Sequence, residues 1–249
     1  MQIMLDGEVA VVTGAARGIG RGVALAFSEA GARVIALDIA EGGLSTLTEQ
    51  ITAAGGVVSA HQVDVSDPDQ VEAAIAEAQR QVGDPTVLVT AAATDESVGI
   101  GEMSREQWAR MIDVNLNGTF YCLKAVLPGM RRAGHGRIIL FGSNIAMRGG
   151  VEIAHYGAAK GAVHALARCA AIELAPENIT VNVIAPGPIE TDMLRLLPQE
   201  WLDAKLATMP LGRFGTVDEV VPTVVLLASS AGAFYTGATM NVSGGDAMQ

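Results

Sequence analysis

Tyr156 and Lys160 stand four residues apart in the segment HYGAAKGAVHALARCAAIEL, and Ser143 lies thirteen residues before the tyrosine. The alanine and leucine content of that segment favours a helix. At this spacing the two side chains leave one helix face a turn apart. A phenol beside an ammonium has a chemical use. A free tyrosine has a pKa of about 10. A cation at ~4 Å, with an effective dielectric of ~20, favours the phenolate by roughly 4 kcal/mol and draws the hydroxyl toward neutral pH, which a general acid–base needs. Ser143 follows RIILFG, an apolar run that reads as a buried strand, so its hydroxyl is expected at that strand's carboxyl end. Open α/β sheets bind their ligands there. Taken alone, Tyr-x3-Lys is weak evidence, since tyrosine and lysine are ordinary helix-surface residues.

The elements that must carry this group form an alternating series. EVAVVT (residues 8–13) reads as a strand, GAARGIG as a glycine turn with Gly14, Gly18 and Gly20, and RGVALAFSEAG as a helix. Glycines let a backbone approach a pyrophosphate, and a helix N-terminus offers unpaired N–H groups at its positive end. The strand RVIALD closes on Asp38, 24 residues after Gly14. An acid at that place accepts hydrogen bonds from both adenosine ribose hydroxyls and repels a 2′-phosphate, so NAD is expected rather than NADP, with Arg17 able to soften the preference. GGLSTLTEQITAAG and PDQVEAAIAEAQRQVG read as helices, the second with Asp67 as N-cap and Pro68 at the first helical position. VVSAHQVD, ending in Asp64, and TVLVT read as strands. Ser104 and Gln107 make a capping box at the start of a long helix over about 104–132. Asn115 and Gly118 inside it predict a kink whose freed carbonyl Asn115 or a water must satisfy. ITVNVIAP and ATMNV are further strands, and a last helix falls near 217–228. The series predicts one doubly wound Rossmann domain over residues 1–249, with a mainly parallel, about seven-stranded sheet and helices on both faces.

Composition narrows the function. Half of the 249 residues are hydrophobic, and 16 basic against 27 acidic residues give a net charge of −11. That balance argues against nucleic acid and anionic membrane surfaces as partners. No apolar run approaches the ~18 residues of a membrane span, and the start shows no signal peptide, so a cytoplasmic protein is expected. Cys122 and Cys169 read as buried, reduced thiols. None of the four histidines pairs at i,i+4 with another histidine or a cysteine, so no metal site is expected.

The motifs in order now resemble the short-chain dehydrogenases/reductases of about 250 residues, across essentially the whole chain. TGAARGIG, Asp64-Val65, VNLNG (114–118), Ser143, YGAAK (156–160), APGPIET (185–191) and TGATMNVSGG all fall in register. The resemblance implies that Gly14, Arg17, Gly18, Ile19 and Gly20 face a dinucleotide and that Asp64 and Val65 contact its adenine. It makes Tyr156 the acid–base and sets Ser143 on the substrate oxygen. Lys160 holds the nicotinamide ribose and lowers the tyrosine pKa, and Asn115 holds a water linking that lysine to solvent. Ile189 and Thr191, after Pro186 and Gly187, fix the carboxamide. A homotetramer is the family's usual assembly. One departure stands out. The family's Asn-Asn-Ala-Gly is here Thr90-Ala91-Ala92-Ala93, so Ala91 and Ala93 are left with backbone contacts to the adenosine, and weaker or shifted binding is expected.

These readings lead to an NAD-dependent oxidoreductase interconverting a small to medium, largely apolar secondary alcohol and its ketone. Residues 188–210, bracketed by Pro and Gly and rich in Met and Leu, read equally as a substrate lid or as core. Within the class, the rival is a 3-oxoacyl thioester reductase. Asp38 and Glu177, which stands where relatives serving an acidic carrier protein tend to have Arg, count against such a carrier but not against coenzyme A. Outside the class, the rival is a catalytically silent dinucleotide sensor. His155 is expected to cap its helix rather than line the pocket mouth, Trp108 and Trp201 to serve packing or an interface, and Arg131 and Arg132 to face a helix C-terminus.

Overall fold

The computed structural model describes residues 3–248. Residues 1, 2 and 249, the ends of the domain expected over 1–249, lie outside the described residues.

Seven strands form one wholly parallel sheet in the order β3-β2-β1-β4-β5-β6-β7. They are β1 (Val9–Thr13), β2 (Arg33–Asp38), β3 (Val58–Gln62), β4 (Val87–Thr90), β5 (Gly136–Phe141), β6 (Ile179–Pro186) and β7 (Thr239–Val242). The central strands β1, β4 and β5 are mostly apolar and buried along their whole length because both faces are covered, as parallel sheets require. The two-residue period divides them cleanly. Ala10 and Val12 pack under α1 (Gly18–Glu29), α2 (Glu41–Ala53) and α10 (Val217–Ala228). Val9 and Val11 face α3 (Pro68–Val82), α5 (Gly118–Ala133) and α7 (Ala154–Leu174). The chain winds outward in both directions from the β1–β4 pair, and that reversal opens a crevice at the strands' carboxyl ends.

The local signals hold. Asp67 caps α3 by accepting from the Asp69 and Gln70 N–H groups. The Ser104–Gln107 box starts α4 (Arg105–Ile112). The expected kink is a π-helical turn, Asp113–Asn117, joining α4 to α5. The Asn115 amide nitrogen donates to the Met111 carbonyl at 3.1 Å and to Thr94 O at 3.0 Å, so the side chain satisfies the acceptor that the wide turn frees.

Three readings need correction. His155 does not cap α7, whose N-cap is Ile153; it is wholly buried, with neither ring nitrogen partnered. Of the two thiols only Cys122 is buried, and Cys169 is exposed. Arg131 and Arg132 do more than face a helix end. Arg131 grips Glu177 through two bonds of 2.6 and 2.9 Å, and Arg132 grips Asp84 at 2.7 and 3.0 Å. Residues 188–210 hold two short helices, α8 (Asp192–Arg195) and α9 (Gln199–Thr208); a further one, α6 (Ile145–Arg148), follows β5. No helix among the described residues is long and apolar enough to cross a membrane.

Candidate active site

A cavity of about 870 Å³ occupies the crevice. Its walls contain Gly14, Arg17, Gly18, Ile19 and Gly20 from the β1–α1 turn, Asp38 after β2, and Asp64 and Val65 after β3. Ala91 and Ala93 follow from β4, Ser143 from β5, Tyr156 and Lys160 from α7, and Pro186, Gly187, Ile189 and Thr191 from β6. Every residue expected in a site is there except Asn115, which is fully buried and does not reach the wall.

The nucleotide end is built from backbone. Gly14 has φ +67°, and a Cβ there would stand 2.7 Å from Ala92 N. A Cβ on Gly20 would stand 2.2 Å from Gly14 O, so only glycine lets α1 start so close to β1. Helix α1 has no side-chain cap at Arg17 and no acid in its first turn, whereas α3 and α4 are capped by their own side chains. Its first N–H groups are thereby left for an anion. Asp38 accepts from the Ala16 and Ala40 N–H groups, both at 2.9 Å, one on each carboxylate oxygen. A carboxylate has about four acceptor sites, so lone pairs remain for two more donors. Asp64 is turned toward Ser66, accepting from its N–H at 3.0 Å and its hydroxyl at 2.6 Å. These features fit a dinucleotide.

At the other end, Ser143 Oγ accepts the Ile145 N–H at 3.1 Å and donates to Asn144 Oδ1 at 3.5 Å, and it is hydrogen-bonded to the Tyr156 hydroxyl. Lys160 is 2% exposed; its Nζ donates to Phe141 O at 2.9 Å and lies 5.8 Å from the centre of the Tyr156 ring. The expected lowering of the tyrosine pKa is not what this geometry gives. Burial, with the Asp95 charge beside it, pushes Tyr156 up to about 12 against the opposing Ser143 bond. Burial also pushes Lys160 down to about 8, opposed by Asp95. Desolvation of both partners outweighs their attraction, and the lysine spends its hydrogen bond on the end of β5.

The sequence reading missed several residues. Asp95, five residues past the end of β4, lines the cavity, and desolvation by surrounding protein raises its carboxyl above the usual range. Its place just beyond a strand's carboxyl end was the available signal. Trp201, set aside for packing, lines the cavity, as do Arg110, Asn144 and Lys205. Met193, Leu194 and Leu197 line it as well, while Met209 is buried elsewhere and Leu196 points to solvent.

Comparison with known proteins accounts for the arrangement. Residues 14–246 match the family model described as enoyl-(acyl carrier protein) reductase. The 3-oxoacyl-[acyl-carrier-protein] reductase FabG of Pseudomonas aeruginosa is 38% identical over 97% of this chain and 98% of its own. The enzyme of the same name from Escherichia coli is 37% identical over 96% and 97%. The chain is a short-chain dehydrogenase/reductase. Among solved structures, the crystal structure of gox2181 superposes with a TM-score of 0.95 at 36% identity, covering 98% of this chain and 97% of that one. Membership makes the chain an oxidoreductase that binds a nicotinamide dinucleotide and acts on a carbonyl or its alcohol. The FabG relatives also shift the balance between the two substrate readings. The thioester one, set second on sequence grounds, is better supported than a generic alcohol and ketone.

Proposed function

We propose that the protein reduces a 3-oxoacyl thioester to the 3-hydroxyacyl thioester with NADH, and that the carrier is a small one such as coenzyme A. The observation that carries this reading is the pair of hydrogen-bonded hydroxyls, Ser143 and Tyr156, above a buried lysine in the cavity that also holds the glycine turn. Two O–H donors converging on one place suit a carbonyl oxygen that gains negative charge. A dinucleotide held there would supply the hydride. The Tyr156 hydroxyl gives its proton to the substrate oxygen, and the phenolate is reprotonated from solvent. A hydroxyl held up to about 12 is fully protonated at neutral pH, which suits the reductive direction. Lys160 binds the nicotinamide ribose. Asn115, whose buried Oδ1 has no protein partner, holds the water that links this lysine to solvent. Ile189 and Thr191 orient the carboxamide, and Asp64 and Val65 receive the adenine. One domain does all of this, with residues 188–210 as its lid.

NAD follows from Asp38, whose carboxylate is fixed by two backbone donors on the wall and would oppose a 2′-phosphate. A small carrier follows from the surface. The arginines at the end of α5 are spent on Glu177 and Asp84 and offer little to an acidic carrier protein. Exposed Phe120 on α5, Ile172 on α7 and Phe234 near the C-terminus support a homotetramer. Light scattering tests that assembly.

The deciding experiment is Tyr156→Phe, assayed with 3-oxobutanoyl-coenzyme A by NADH absorbance. Turnover should fall about 10³-fold while NADH binding, read by fluorescence, persists. Equal turnover by both proteins would refute the assignment. Failure of the unaltered protein to turn over any thioester or ketone would favour a silent sensor.

A further inference from the structure

Asp246 lies four residues past the end of β7, and its side chain is 5% exposed. Three groups from two other segments converge on its carboxylate. Asn144, next to Ser143, donates through its amide; Lys205 of α9 pairs with the other oxygen; and Arg148 of α6 approaches with Nε at 3.3 Å. The acid is fixed in turn by its own N–H on Ser243 O at 3.1 Å. Asn144, Arg148 and Lys205 line the cavity, and Asp246 does not. The two cations therefore face the ligand with one carboxylate behind them, and the cluster carries a surplus positive charge. Lys205 is 10% exposed and Arg148 33%, so neither charge is fully solvated. The Arg148 guanidinium, which has five donors, meets the carboxylate through Nε alone, at 3.3 Å. Leu197, Trp201 and Ala204 also line the wall, as do Glu152, Asp192 and Thr208. Two partly buried cations that share one buried carboxylate leave a positive charge that an anionic ligand group can answer.

Resting on the thioester reading above, we infer that Arg148 and Lys205, pre-set by Asp246, form an anion subsite. It selects substrates with an anionic oxygen group away from the reacting carbonyl. A carrier phosphate and a carboxylate on the acyl chain share this chemistry. Asp246 is a positioning residue, since it holds the cations and does not meet the ligand.

The test compares three thioesters: neutral 3-oxobutanoyl-N-acetylcysteamine, 3-oxobutanoyl-coenzyme A with its phosphates, and 3-oxoadipyl-N-acetylcysteamine with a terminal carboxylate. The readout is the ratio of kcat/KM for each anionic substrate to that for the neutral one. In Arg148→Met and Lys205→Met that ratio should fall about tenfold or more, carried by KM. The substrate whose ratio falls identifies the source of the anion. In Asp246→Asn, which keeps the shape but loses the charge that holds both cations in place, the ratio should fall as well. Ratios within twofold of the unaltered protein in both cation variants overturn the subsite, and an unchanged or raised ratio in Asp246→Asn overturns the positioning role. Circular dichroism confirms that each variant folds, and Arg148→Met, the more exposed site, serves where Lys205→Met does not. Should the unaltered protein reduce none of the three, the thioester reading has failed. Calorimetric binding of coenzyme A to the NADH-saturated protein and to Arg148→Met then decides the subsite: loss of binding supports it, and equal or absent binding in both overturns it.

Discussion

Asp38→Asn removes one charge without changing the side chain's size, and its effect on cofactor choice follows from the contacts around it. Each carboxylate oxygen already takes one backbone N–H at 2.9 Å, so each has one acceptor site left for a ribose hydroxyl. Two hydrogen bonds to a charged acceptor become bonds to a neutral amide, a loss of about 1 kcal/mol each. With a 2′-phosphate about 5 Å away, one unit of charge repulsion at an effective dielectric of ~20 amounts to roughly 3 kcal/mol, and salt screening takes about half of it. The 3′-hydroxyl is common to both cofactors and cancels, so the lost 2′ bond and the screened repulsion add to about 2–3 kcal/mol. The kcat/KM ratio for NADH over NADPH should therefore fall by about two orders of magnitude. The assay is initial rate against each cofactor at fixed thioester, repeated at high salt, where the shift should shrink. The amide nitrogen will meet one backbone donor in place of an acceptor and cost about 1–2 kcal/mol of stability, visible in a denaturant titration. A change in the ratio of less than threefold, in a folded variant, would refute the placement of Asp38 on the ribose.

Other outcomes follow from the same geometry. Lys160, at about 8, loses its ammonium as pH rises through that value, whereas Tyr156 stays protonated to about 12. Reductive kcat/KM should be flat from pH 6 to about 7.5 and fall above it, and Lys160→Arg, which stays charged, should remove the fall even if its plateau is lower. Thr90 Oγ1 is buried with no protein partner, at the departure from Asn-Asn-Ala-Gly. Thr90→Val, of nearly the same shape, should leave stability unchanged or raise it by up to about 1 kcal/mol in a urea titration. Glu177→Arg frees Arg131 and adds a cation, so activity on acyl-carrier-protein thioesters should rise relative to coenzyme A thioesters; no change would remove the surface argument for a small carrier.

The fold could be read from the sequence because its signals are local. Continuous apolar runs such as VAVVT can only be strands covered on both faces, and Asp67-Pro68 and Ser104–Gln107 mark helix starts through bonds made within four residues. The nucleotide end of the cavity was legible for the same reason, since Gly14, Gly20 and Asp38 act through backbone that a short segment determines. What stayed hidden depends on distance along the chain. Asp246 meets Asn144 across 102 residues and Lys205 across 41, and no periodicity announces such a meeting. The tyrosine–lysine spacing correctly brought the two groups onto one helix face. It could not reveal that both would be so deeply buried that desolvation outweighs their attraction. His155 failed as a cap because α7 begins one residue before it, and the ring turned inward.

The bare start of α1 has a practical reach beyond catalysis. A row of unsatisfied donors at the mouth of a crevice does not distinguish a pyrophosphate from any other small oxyanion. Sulfate and phosphate buffers should therefore act as weak competitors of the dinucleotide, and Michaelis constants measured in them will read high. Tight occupancy should raise the melting temperature in proportion to the logarithm of ligand concentration, which makes a simple thermal shift series a direct gauge of which nucleotide this crevice prefers.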